Sequence, residues 1–267
     1  MLKDVTLGQY FPGDTPVHRL DPRTKIVLLI VYIVALFSAH SFIQYGVVAA
    51  ALITCVIMAR LRLKTMLSGV KPLFIIIIFT GLLNIFYTKG TVIAEFWIFS
   101  ITKEGLRAAA FMILRIVLLV FGTLVMTYTT SPISLTDGLE RLLKPLKKLK
   151  LPIHELSMMM SIALRFIPTL IEETDKIMSA QKARGADFET GGLIKRAKAL
   201  LPLLVPLFIS AFRRAEELAT AMESRCYHGD DGRTRMKSLQ FSRLDFIAFG
   251  GGALLLAAVF TLRGFGI

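Results

Sequence analysis

Apolar residues run along this chain in stretches too long for a soluble core, and polar residues punctuate them at intervals that predict helices. The first stretch follows "LDPRTK": Asp21 is placed to accept hydrogen bonds from free N–H groups at a helix start, and Pro22 fits the first helical position, where a missing donor costs nothing. The pattern then predicts a short span over 24–40, a tight turn at His40–Ser41 and a second span over 42–59. Arg60, Arg62, Lys64 and Lys71 read as the following loop, with Arg23 and Lys25 at the membrane face. A third span is predicted over about 72–88, a fourth over about 106–128 and a last over about 245–262. Between the third and fourth, "KGTVIAEFWIFSITKEG" reads as a loop at headgroup depth that carries the only tryptophan, Trp97.

The pattern changes between 131 and 243, where 19 Lys+Arg stand against 13 Asp+Glu. Two apolar segments lie inside this region. Residues 156–171 carry Arg165 and Pro168; residues 199–212 are fourteen long, contain Pro202 and Pro206, and are flanked by Lys195, Arg196, Lys198, Arg213 and Arg214. Apolar stretches of about 10–14 residues favour buried or interfacial helices over crossings. They read as the apolar front halves of two long helices along the cytoplasmic interface, or alternatively as a hairpin of half-spans.

In the first, Leu156, Met160, Ala163, Ile167 and Leu170 or Ile171 form one stripe at helical spacing, and the sequence turns polar after Glu172. Gly185 can take the left-handed conformation that stops a helix, which leaves Arg184 at the tip. The second helix repeats the plan through "RRAEELATAMESRCY", with alanines at 215, 219 and 221 that would let a partner helix approach, and reaches Arg225. Cys226 stands where a glycine is expected, so this helix is expected to run about three residues further, toward Gly229. A cation near a helix C-terminus has an ordinary explanation in the helix dipole. Two arginines at matching places on two similar helices point instead to contact with a partner, because a planar guanidinium can clamp a carboxylate or several carbonyls.

Composition agrees: 54% of the 267 residues are hydrophobic, above the roughly 45–50% of soluble domains. The net charge of +13 sits beside apolar runs, as expected of membrane flanks, and no nucleic-acid partner is expected. Biased Lys/Arg places the N-terminal flank, the 60–71 loop and the 131–243 region in the cytoplasm of a five-span chain in the cell membrane. No secretory leader is read at the N-terminus, and Cys55 and Cys226 are not expected to pair. The sequence contains no Walker A pattern, no H-E-x-x-H and no G-x-S-x-G, and the four histidines are scattered. No catalytic residue, metal site or cofactor is expected, so the chain is not expected to be an enzyme.

The expected fold is an all-α integral membrane protein in three parts: 1–130 with four spans, 131–243 as a cytoplasmic coupling domain and 244–267 as the last span. Arg107 and Arg115 lie eight residues apart on the fourth span. A charge within a span calls for a partner; for Arg115 the candidates are Glu104, a carbonyl or a group on another subunit. "LERLLKPLKKLK" (139–150) is basic and amphipathic, suited to anionic lipid headgroups or to a share in a protein contact.

"RLDPRTK" (19–25), "RFIPTLIEETDKIMSAQKARG" (165–185) and "RRAEELATAMESRCYHG" (213–229) resemble the T component of energy-coupling factor transporters, a broad family that includes the Q subunits of cobalt permeases. The resemblance extends over nearly the whole chain. It implies a membrane scaffold that docks two ATP-binding cassette ATPases and holds one substrate-binding S component. It also implies that the Ala183–Arg184–Gly185 and Ser224–Arg225–Cys226 triplets seat in the two ATPases, with Cys226 a departure from the usual glycine. The cargo, vitamin or metal ion, belongs to the S component. A self-contained secondary carrier is the rival from another class; internal repeats and mid-membrane ionisable groups, usual in such carriers, are not evident beyond Arg115.

Overall fold

The computed structural model describes residues 10–96, 99–149, 152–186, 188, 192–229 and 239–265. In chain order the helices are α1 Pro16–Arg19, α2 Pro22–Ser38, α3 Phe42–Ala59, α4 Leu63–Val70, α5 Phe74–Tyr87, α6 Lys103–Thr129, α7 Pro132–Leu143, α8 Ile153–Ala183, α9 Leu193–Glu223 and α10 Arg243–Gly264. The all-α membrane architecture is therefore as expected. One local exception replaces the expected headgroup loop: Val92–Phe96 (β1) and Phe99–Thr102 (β2) pair antiparallel, with Glu95 opposite Ser100. Trp97 lies outside the described residues.

Two compact units emerge, one of Gly8–Leu142 with Leu239–Ile267 and one of Leu143–Ser238. The first is the membrane unit. Among the described residues, four helical stretches in it are long and apolar enough to cross a bilayer: Phe42–Ala59, Leu63–Tyr87, Lys103–Thr129 and Arg243–Gly264. At seventeen residues, α2 reaches about 25 Å, slightly less than a hydrocarbon core of about 30 Å. It packs against α10 and α6 within the same bundle.

The third span departs from its predicted bounds. Arg60 takes a left-handed conformation (φ 53°) that ends α3, and Arg62 is extended. From Leu63 the backbone coils without a break through α4, a 3-10 turn at Lys71–Leu73 and α5. Lys64 and Lys71 are thus helical rather than loop residues; both remain exposed, seven positions apart and hence near one face.

The bundle core is built around aromatic residues that also bond. The Tyr32 hydroxyl donates to the Leu118 carbonyl at 2.8 Å. Gly122 makes that approach possible, since a Cβ there would lie 2.4 Å from the Tyr32 ring. Tyr45, Tyr128 and Met66 are almost fully buried alongside.

Polar groups tie the ends of the bundle together. Asp21 caps α2 by accepting from the Arg23 N–H at 2.9 Å, with Pro22 next in line as the sequence predicts. Lys25 is not at a headgroup surface: it is buried, and its Nζ donates to the carbonyls of Thr129 (2.8 Å) and His18 (3.2 Å). It thereby satisfies a carbonyl at the end of α6, where the helix dipole favours a cation. Asp245 accepts from the Asp21 N–H (2.9 Å), the Ser242 N–H (2.7 Å) and the Ser242 hydroxyl (2.9 Å), joining the start of α10 to the start of α2. The Arg23 guanidinium grips Asp21, lies 4.0 Å over the Phe241 ring and reaches the Leu239 carbonyl, to which Arg141 of α7 also donates at 3.3 Å. The points where the chain leaves this unit, after Leu142, and re-enters it, at Leu239, are thus held together.

Candidate coupling surface

The second unit carries both arginine tips. Its main elements, α8 and α9, are 31 residues each, or about 46 Å of helix at 1.5 Å per residue. Neither contains an uninterrupted apolar window like those of the spans. Internal prolines at 168, 202 and 206 each remove one backbone donor without ending the helix.

The helices run antiparallel. Arg214 of α9 pairs with Glu173 of α8 at 2.7 Å, with both side chains roughly a quarter exposed. Tyr227, beyond the end of α9, donates its hydroxyl to the Met158 sulfur near the start of α8 at 3.2 Å. Arg184 and Arg225 therefore lie toward opposite ends of the pair, each eleven positions beyond the ion-pair member on its own helix.

The two tips share one backbone design. At the first, the Ala186 N–H donates to the Gln181 carbonyl and the Gly185 N–H to the Lys182 carbonyl, both at 3.0 Å. At the second, the Tyr227 N–H donates to the Met222 carbonyl (3.1 Å) and the Cys226 N–H to the Glu223 carbonyl (2.9 Å). These are the paired bonds of a Schellman termination, which needs a left-handed residue just past the arginine. Gly185 supplies it with φ 88° and Cys226 with φ 55°.

Here the sequence expectation fails. The helical assignment stops at Glu223 and the turn closes over Arg225, with no further three residues of helix. Cys226 accepts a left-handed conformation that costs a non-glycine residue roughly 1–2 kcal/mol, offset by the two cap bonds it permits. Cys226→Gly is accordingly expected to stabilise this tip by about 1 kcal/mol, which thermal unfolding checks.

Ala183, Arg184, Gly185, Ser224, Arg225 and Cys226 are all exposed. Among the described residues neither guanidinium has an ion-pair partner, so both remain available to another protein.

The apolar front halves are exposed too. Leu156, Met159 and Met160 on α8 and Leu204, Val205, Phe208, Ile209 and Phe212 on α9 face outward, while Leu203 is buried. The predicted α8 stripe thus begins on an open face rather than in a core. The alanines at 215, 219 and 221 also remain exposed; the half-buried positions of that stretch are Arg214, Leu218 and Met222, a different face.

Arg115 is settled within the membrane unit. Its Nε donates to the Tyr45 hydroxyl at 3.0 Å and its Nη2 to the Ala39 carbonyl at 3.4 Å, and the guanidinium lies 5.4 Å from the Phe37 ring centroid. Glu104 is not its partner: that carboxylate accepts from the Thr91 N–H at 2.7 Å and closes the base of the hairpin. Arg107 is exposed and sits over Phe111. Arg115→Leu is expected to destabilise the membrane unit by about 1–3 kcal/mol, the cost of leaving the Tyr45 hydroxyl and a carbonyl unpaired. Thermal loss of the monodisperse species in detergent measures this.

Comparison with known proteins gives a consistent picture. A family model described as cobalt transport protein, CbiQ, matches residues 13–236. Among curated relatives, the energy-coupling factor transporter transmembrane protein EcfT of Clostridium kluyveri is 56% identical over 250 residues, covering 93% of each chain. The protein of that name from Thermosediminibacter oceani is 54% identical over 95% of this chain and 96% of its own. The one from Bacillus subtilis is 47% identical over 98% of this chain and 100% of its own.

Proposed function

The chain belongs to the CbiQ family, as a transmembrane component of an energy-coupling factor transporter, and from that premise we propose that it transmits the motion of two cytoplasmic ATP-binding cassette ATPases to a substrate-binding S component. It is a multi-pass membrane component of a transporter and not itself an enzyme. The observation that carries the reading is the duplicated cap: two exposed arginines, each fixed by the same pair of backbone bonds, at opposite ends of one antiparallel helix pair. One ATPase would take the Ala183–Arg184–Gly185 tip and the other the Ser224–Arg225–Cys226 tip. Fixed backbone geometry lowers the ordering entropy of docking, and the guanidinium supplies the polar grip. The exposed apolar fronts of α8 and α9 suit contact with the S component. The Lys/Arg bias supports a cytoplasmic N-terminus, 60–71 segment and helix pair.

Reconstitution tests this. Liposomes holding the chain with two ATPases and an S component are expected to accumulate the S component's substrate when ATP is supplied, and liposomes holding the chain alone are expected to accumulate none. ATP-independent uptake by the chain alone would identify a secondary carrier instead. The match to a cobalt transport protein family favours one second reading, a Q-type subunit whose cargo is cobalt or nickel ion. Exchanging the S component while keeping this chain distinguishes cargo from scaffold.

A further inference from the structure

We propose that the segment Lys144–Leu149, which follows α7 at the start of the second unit, is a docking surface for anionic phospholipid headgroups. This does not rest on the transport reading. The segment is a 3-10 helix of sequence KPLKKL, with three residues per turn, so side chains three apart eclipse. Leu146 and Leu149 therefore stack on one edge, and Leu143 precedes them at the same spacing. Lys144 and Lys147 stack on a second edge, and Lys148 follows Pro145 on the third. Every residue from Leu143 to Leu149 is exposed, Leu149 by 69%. From Arg141 to Lys150 the chain carries five cations and no carboxylate.

The segment continues α7, which is anchored in the membrane unit. Only two residues separate the end of α6 from the start of α7. Its Gly138 lies against the backbone of Pro22 and Arg23, where a Cβ would come within 2.9 Å of Pro22. Its Arg141 bonds the Leu239 carbonyl, three residues before the N-cap of α10. The helix that leads into Lys144 thus lies across the ends of three membrane helices. A leucine edge beside two lysine edges, on the chain that directly continues α7, is complementary to acyl chains on one side and phosphates alongside. An acidic protein surface would match the lysines but leave the leucine edge unused.

The test uses the full chain in nanodiscs of phosphatidylcholine alone or with added phosphatidylglycerol. A water-soluble amine reagent labels lysines, and mass spectrometry reads each site, with exposed Lys176 on the polar half of α8 as reference. An anionic surface strengthens association about fivefold per nearby lysine. Labelling of Lys144, Lys147 and Lys148 is expected to fall at least about fivefold in the phosphatidylglycerol discs. It is expected to recover in about 1 M salt, where the screening length is about 3 Å, while Lys176 stays constant. Equal labelling in both discs would overturn the proposal. So would protection that arises only on adding the ATPases, which would make this a protein contact. As a second arm, K144E/K147E/K148E is expected to lose the phosphatidylglycerol-dependent part of the bound lipid measured after purification; unchanged bound lipid would count against the proposal.

Discussion

Replacing both Arg184 and Arg225 with glutamate is expected to abolish co-purification of the ATPases, while either replacement alone weakens it. Both side chains are exposed and, among the described residues, unpaired, so substitution breaks no intramolecular ion pair and the fold should persist. Truncating one member of a buried, hydrogen-bonded charge contact at an interface costs about 2–5 kcal/mol, a factor of roughly 30 to 5,000 in affinity. Charge reversal adds repulsion to that loss. Two such losses put the complex beyond the concentrations used in affinity purification. Arg184→Lys separates charge from shape: a lysine keeps the positive charge but not the planar fork, so retention of most binding would mean the socket reads charge alone. Unimpaired uptake by the double variant would remove the docking role altogether.

The second large effect is expected at Asp245. Asp245→Ala should lower the stability of the membrane unit by about 1–3 kcal/mol, chiefly because it strands the buried Asp21 N–H; Ser242 is exposed, so water can meet its N–H and hydroxyl. The side chain is 1% exposed, so water does not readily replace it. Asp245→Asn keeps two acceptor lone pairs on one oxygen and is expected to recover part of the loss. Heating in detergent, followed by the fraction that remains monodisperse, reads both variants. An alanine variant as heat-resistant as the parent would show that the α2–α10 junction is held by packing alone.

Long-period features were legible in the sequence. The spans, the Asp21–Pro22 cap and the stop at Gly185 depend on local composition and backbone preference, and those signals lie within a few residues of their effects. The coiling of Leu63–Tyr87 through Lys64 and Lys71 was obscured because lysine reads as loop wherever apolar runs pause, although a long side chain can keep its charge outside a helix it belongs to. Cys226 was misjudged for a different reason: intrinsic reluctance toward positive φ was weighed without the two hydrogen bonds that the turn returns. The Ser242–Asp245 capping box is a local signal, but the bonds of Asp245 to Asp21 and of Lys25 to Thr129 left none, because those partners lie more than a hundred positions away in sequence. The same holds for Arg115, whose hydroxyl and carbonyl partners on α3 and at the end of α2 emerge only once the bundle forms.

Glu173–Arg214 and Met158–Tyr227 bind α8 and α9 side by side, and the two arginines then stand about 33 Å apart along the common axis, twenty-two residue steps at 1.5 Å. The pair acts as a gauge. Whatever grips both ends must offer receptors at that separation, and a single small domain about 30 Å across has no room to do so. Removing one helical turn between Arg214 and Arg225 shortens the gauge by about 5 Å and swings the tip by little, so a receptor pair of fixed spacing would accept only one end at a time.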